Sequence, residues 1–141
     1  MIILSKKILC LDFDGVVHSY TSGWKGARNI PDDPMPGALD FMSQLLSEGW
    51  DVVIHSSRAG HWGGITAMRN WLRAHAGNQW DCMGGSLCDV RFTRWKPPAI
   101  ITIDDRAMRF NGTWPSTKAC QEFKPYKHDM RLETMRFGDI P

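Results

Sequence analysis

Apolar positions follow two rhythms along the chain. Residues 8–13, ILCLDF, make a short run of large and branched side chains that stops at Asp12-Phe13-Asp14-Gly15. Such a run reads as a buried strand delivering Asp12 and Asp14 at its carboxyl end. Pro36 and Gly37 then open a stretch with Leu39, Met42, Leu45 and Leu46 on one helical face, and Gly49 stops it. Residues 51–57, DVVIHSS, form a second strand. Residues 65–76 return to helical spacing through Ile65, Met68 and Leu72, and Gly77 closes the helix. Residues 78–98 are weaker, with a short extended piece from Val90 to Thr93. Residues 99–103, AIITI, read as a third buried strand, ending at Asp104-Asp105. Asn111-Gly112 predicts a hairpin over 108–114, and a helical stretch follows near 127–136.

Strand and helix alternate, which predicts an α/β fold: a Rossmann-like parallel sheet flanked by helices. The length of 141 residues makes a single domain, 1–141, the expectation. Residues 18–34 carry glycines, prolines, Tyr20 and Trp24, and read as a flap-like loop rather than a second domain. Apolar content of 43% and charged content of 23% exclude a disordered tail. The net charge of +2 neither demands nor excludes nucleic acid. Cys82 and Cys88 are six apart, which matches no common ligand pair, and Cys10 lies in the first strand. The four cysteines therefore read as no framework, and the expected setting is reducing and cytoplasmic. The apolar start of the chain is too short to span a bilayer and is broken by Lys6 and Lys7, so no membrane partner is expected.

Composition sharpens the picture at one residue type. The chain has 12 Asp and 3 Glu, and four of those Asp form two close sets at the ends of predicted strands: Asp12 with Asp14, and Asp104 with Asp105. In an open α/β sheet, ligands sit beyond the carboxyl ends of the strands. Adjacent carboxylates repel unless a cation or a proton lies between them. Magnesium, a hard cation that prefers oxygen, fits that need. Ser56 ends the second strand; beside Ser57 and Arg58 it could offer a hydroxyl, N–H groups and a cation to a phosphate. Lys96 precedes Pro97 and Pro98, which stiffen its backbone. His55 and His61 have no partner arrangement that suggests a separate metal site or triad.

These motifs resemble those of the haloacid dehalogenase-like (HAD) hydrolase superfamily. The resemblance rests on Asp12-Phe13-Asp14-Gly15 after an apolar strand, Ser56 ending the next, Lys96 ahead of the last core strand, and Asp104-Asp105 closing it. It implies a magnesium-dependent phosphomonoester hydrolase that works through an aspartyl-phosphate. Asp12 would be the nucleophile, and Asp14 the acid and then the base. Asp12 and Asp104 would hold magnesium with the Asp14 carbonyl, Asp105 would be either a further ligand or a group behind the ligands, and Ser56 and Lys96 would hold phosphoryl oxygens.

The gaps between motifs hold one core helix each and leave no room for a folded cap domain. An open site suits a nucleotide or a nucleic-acid end. Ser56-Ser57-Arg58 partly resembles the Ser-Gly-Arg of polynucleotide-end phosphatases in that superfamily, with Ser57 in place of glycine. Lys25, Arg28, Arg58, Arg91 and Arg94 could track phosphates, and Trp24, Trp62 or Trp95 could stack on a base. A second copy covering the site, in a homo-oligomer, is compatible with a capless enzyme. The contrasting reading is a phosphate- or metal-binding regulatory module without turnover.

Overall fold

The computed structural model describes residues 6–126. The chain divides into two compact units, 1–103 and 104–141. The first holds four strands, β1 (Ile8–Leu11), β2 (Asp51–His55), β3 (Arg91–Thr93) and β4 (Ile101–Ile103), with helices α1 (Ala38–Ser47) and α2 (Gly64–Ala76). All strand pairs are parallel, in the order β3-β2-β1-β4. The α/β class and the parallel sheet expected from the alternation are present. The weak extended piece near Val90 is a full member of the sheet.

The order explains where the helices lie. From β1 through α1 to β2, and through α2 to β3, the chain steps the same way across the sheet. Crossovers of this kind are right-handed, so successive steps in one direction place their helices on one face. That face carries Leu9, Leu11, Val52 and Ile54, packed with Met42 and Leu46 of α1 and Met68 and Leu72 of α2 in one cluster. Burying each such side chain contributes roughly 1.5–3 kcal/mol. The return from β3 to β4 runs the other way, so its connection crosses the opposite face. It is the irregular segment 94–100, and there Cys10 and Val53 are buried without a helix above them.

Helix ends follow local chemistry. α1 starts after Gly37, and the chain leaves it at Gly49, with the Trp50 N–H returning to the Leu45 carbonyl at 3.0 Å. Gly64 at the start of α2 is required by close approach: a Cβ there would lie 1.8 Å from the Arg58 carbonyl oxygen.

Several expectations need correction. Residues 99–103 do not form a buried strand: β4 is an edge strand among the described residues, and Ile101 is 49% exposed. Composition alone cannot separate an edge strand from a central one. Cys82 and Cys88 do pair, as a disulfide. Between them Gly84 and Gly85 take positive φ values of 108° and 70°, which curls the segment back on itself. The expectation of a reducing compartment rested on unpaired cysteines, and that ground is gone. Among the described residues, no helix is long and apolar enough to cross a membrane.

In the second unit, Asn111 and Gly112 do form a turn, with the Thr113 N–H donating to Asn111 Oδ1 at 3.0 Å, but no hairpin strands flank it. A lone two-stranded hairpin is marginal without a packed face. The rings of Phe110 and Trp114 meet across the turn at 4.8 Å. A short helix, α3 (Thr117–Glu122), is capped by Ser116, whose Oγ accepts from the Ala119 N–H. The helix expected near 127–136 lies outside the described residues.

Replacing Gly64 with Ala should destabilise the protein by at least about 2 kcal/mol, because backbone atoms must move to admit the methyl group. Urea unfolding of the variant beside the parent measures it.

Candidate functional site

β1 ends at Leu11, which is in register with Ile103 of β4. One residue on, the Asp12 N–H donates to the Ile103 carbonyl at 3.0 Å. The peptide bond after Ile103 therefore starts Asp104 and Asp105 beside Asp12. One carboxylate oxygen from each of the three lies within 4.8 Å of the others. Asp104 Oδ1 also accepts the Arg106 N–H at 2.8 Å, which turns the chain away from the strand. Parallel pairing thus brings together carboxylates more than ninety residues apart in sequence.

Oxygen donors only, with no nitrogen or sulfur among them, suit a hard divalent cation and not a thiolate-seeking metal. A carboxylate cluster able to coordinate a divalent cation is present at the ends of β1 and β4.

The carboxylate of Asp14 is not in that cluster. The Arg58 Nε–H donates to both of its oxygens, at 3.1 and 2.9 Å. The imidazole of His18 approaches it with Nδ1 at 2.8 Å. On the far side of that ring, the Asp32 N–H donates to Nε2 at 3.2 Å. Nε2 therefore carries no proton, and Nδ1 is the nitrogen that donates to Asp14. Burial by itself would raise the pKa of Asp14. The hydrogen bonds from His18 and Arg58, together with the Arg58 charge, outweigh it and hold the group below the ordinary 3.8.

Arg58, expected to face a phosphate, is instead fully buried. Its Nη1 donates to the carbonyls of Gly26, Ala27 and Asn29 at 2.9, 3.0 and 3.3 Å. Its guanidinium sits 4.7 Å from the Trp24 ring centroid. The loop expected to be a flap is therefore fastened from inside. Further ties are Met35 N–H to the Val17 carbonyl, Ser19 N–H to the Asp33 carbonyl, and Trp71 Nε1–H to the Asp32 carbonyl, at 2.7, 2.9 and 3.0 Å.

Ser56 is buried, and its Oγ accepts the Arg58 N–H at 3.2 Å, capping the 3-10 turn Ser57–Gly60. Ser57 is exposed. Lys96 is also exposed; it lies on the segment that crosses the back of the sheet, in a groove with Ile8, Val53 and Pro97. The groove holds no carboxylate. Of the expected site residues, the structure joins Asp12, Asp104 and Asp105, links Asp14 to Arg58 and Arg58 to Ser56, and sets Lys96 in separate surroundings.

His18 and Asp32 escaped the sequence reading. The available signal was local: His18 stands four residues after Asp14, within the turn that the motif begins. His18 is fully buried, with Phe13, Tyr20 and Trp71 ringing it at centroid distances of 5.6, 5.8 and 5.5 Å. Comparison with family models, with curated proteins and with solved structures returned no match. The likeness to a HAD core thus rests on the sheet and the position of the carboxylates.

Replacing Arg58 with Ala should cost about 3–5 kcal/mol, since it strands Asp14 and three loop carbonyls; equilibrium unfolding measures this. Acid should act through Asp32 as well. Burial pushes its pKa up, but donation from Ser22 and Thr21 prevails and holds it below 3.8. A depressed carboxyl stabilises the fold fully above its unfolded-state pKa, and that contribution fades as pH falls through the folded value. Asp32→Asn should therefore lose less stability than the parent between about pH 5 and pH 2, as read by thermal melts.

Proposed function

We propose that the chain is a magnesium-dependent phosphomonoester hydrolase with Asp12 as nucleophile, acting on a nucleotide or a nucleic-acid end. The observation that carries this reading is the set of three carboxylates at the ends of two neighbouring parallel strands. Asp12, Asp104 and Asp105 would hold the metal, which supplies positive charge to offset their repulsion and that of the phosphate.

In the first half of the reaction an Asp12 oxygen attacks phosphorus. The ester P–O bond breaks, and the leaving oxygen takes a proton from Asp14. In the second half, water attacks the aspartyl-phosphate and gives its proton to Asp14. Phosphate leaves, and the Asp12 carboxylate is restored. Arg58 and His18 hold Asp14 as a carboxylate, so the geometry is preset for the second half. Proton uptake before the first half needs the Arg58 contact to lengthen. The exposed Ser57 hydroxyl and the Ser56 O–H are the groups assigned to phosphoryl oxygens; Lys96 joins them in this reading only if the segment 94–100 carries it out of its own groove. Arg58 serves this reading by aiming Asp14 and anchoring the loop.

The same Asp14 geometry favours a second reading. A carboxyl held below its ordinary pKa is poorly suited to donate a proton, as in a phosphate- or metal-binding module without turnover.

Hydrolysis of an aryl phosphate separates the two. The parent should turn over with added magnesium and stop with chelator. Asp12→Asn should lose on the order of 10³-fold or more of the rate while keeping its melting temperature. Undiminished hydrolysis in that variant would remove Asp12 as nucleophile. A folded parent that is inert across several divalent metals would favour the binding module.

A further inference from the structure

A cleft of about 830 Å³ opens within the first unit, lined among others by Arg28, His61, Trp62, Ile65, Asn70 and Arg94. Its walls come from the loops that leave the carboxyl ends of β1, β2 and β3, and from α2. Arg28 lies in the loop after β1, His61 and Trp62 follow β2, and Arg94 directly follows β3. That is the sheet edge to which β1 also delivers Asp12. The volume falls in the range of sites for one small ligand, roughly 300–1,000 Å³, and is too small for a folded partner.

The lining carries two guanidinium groups and no carboxylate. Among the described residues neither Arg28 nor Arg94 forms an ion pair, in contrast to the committed Arg58. The aliphatic part of Arg28 lies against Gly63, where a Cβ would come within 2.8 Å of Arg28 Cδ. Trp62 is 87% exposed, so its indole face is open to solvent. A tryptophan this exposed leaves a large apolar surface in water unless something flat lies on it. An anion-selective cleft with a free aromatic face fits a ligand that is both planar and multiply charged.

We propose that this cleft binds the leaving-group side of the substrate: a nucleoside carrying a second phosphate beyond the one to be removed. The base stacks on Trp62, and the second phosphate is held by Arg28 and Arg94. This rests on the hydrolase reading for its link to the reaction, though the cleft's own binding does not. The chemistry is shared by a free nucleoside bisphosphate and by the terminal nucleotides of a single strand.

The test uses the full chain with Asp12→Asn, so that no turnover intervenes, and measures Kd by calorimetry. The probes are adenosine 3′,5′-bisphosphate, a 5′-phosphorylated tetranucleotide and adenosine 5′-monophosphate. One of the first two should bind more tightly than the monophosphate, and which one does so identifies the source. Adding Trp62→Ala should weaken that binding by about 5- to 150-fold, whereas Trp62→Phe should retain most of it. Adding Arg94→Gln should weaken it and flatten its salt dependence. Equal affinity across the three probes, or affinity unchanged by both Trp62→Ala and Arg94→Gln, overturns the proposal. So does failure of both the bisphosphate and the tetranucleotide to bind folded protein. A folded parent inert towards aryl phosphate across several divalent metals would sink the hydrolase reading and leave the cleft intact.

Discussion

The buried guanidinium of Arg58 is the interaction on which the rest of the site's architecture depends. A cation removed from water must be surrounded by acceptors, and here they come from two directions. The Asp14 carboxylate supplies the charge at Nε, and three carbonyls of the loop after β1 accept from Nη1, while the buried Nη2 has no hydrogen-bond partner among the described residues. One side chain from the turn after β2 thereby closes a loop that has almost no regular structure of its own. Trp24 covers the guanidinium, and Gly64 leaves space for the backbone that carries it. Loop, acid and helix start are consequently coupled through a single group.

That coupling divides the four aspartates of the motif pairs into two kinds. Asp12, Asp104 and Asp105 face one another with like charge. Asp14, two residues from Asp12, faces a cation and an imidazole. The first arrangement gathers oxygen donors able to coordinate a divalent cation, while the second pairs a carboxylate with a guanidinium. The turn at Gly15 thus places two neighbouring carboxylates in different electrostatic settings. In the neighbouring cleft, Arg28 and Arg94 form no ion pair among the described residues, in contrast to the buried Arg58.

Much of the framework was legible in the chain. Residues 8–13 and 51–57 announced strands because large apolar side chains there cannot be left in water. Leu39, Met42, Leu45 and Leu46 marked α1 by their spacing, and Gly49 marked its end. Other parts were illegible for identifiable reasons. The run at 99–103 has the composition of a central strand, yet strand order makes β4 an edge. Cys82 and Cys88 have no diagnostic spacing; the curl at Gly84 and Gly85 joins them. Asn111-Gly112 is a turn without the paired strands that would make it a hairpin.

The sequence by itself determined the element types, the parallel connectivity and the placing of acids at strand ends. These follow from local periodicity and from the handedness of crossovers, both of which act over short stretches. Only the tertiary structure decided which acids meet and what neutralises each. Register between β1 and β4 gathered Asp12 with Asp104 and Asp105, and packing turned Arg58 inward to Asp14. Those outcomes depend on contacts between residues distant in sequence, where a single buried charge selects its partners from whatever the fold brings within a few ångströms.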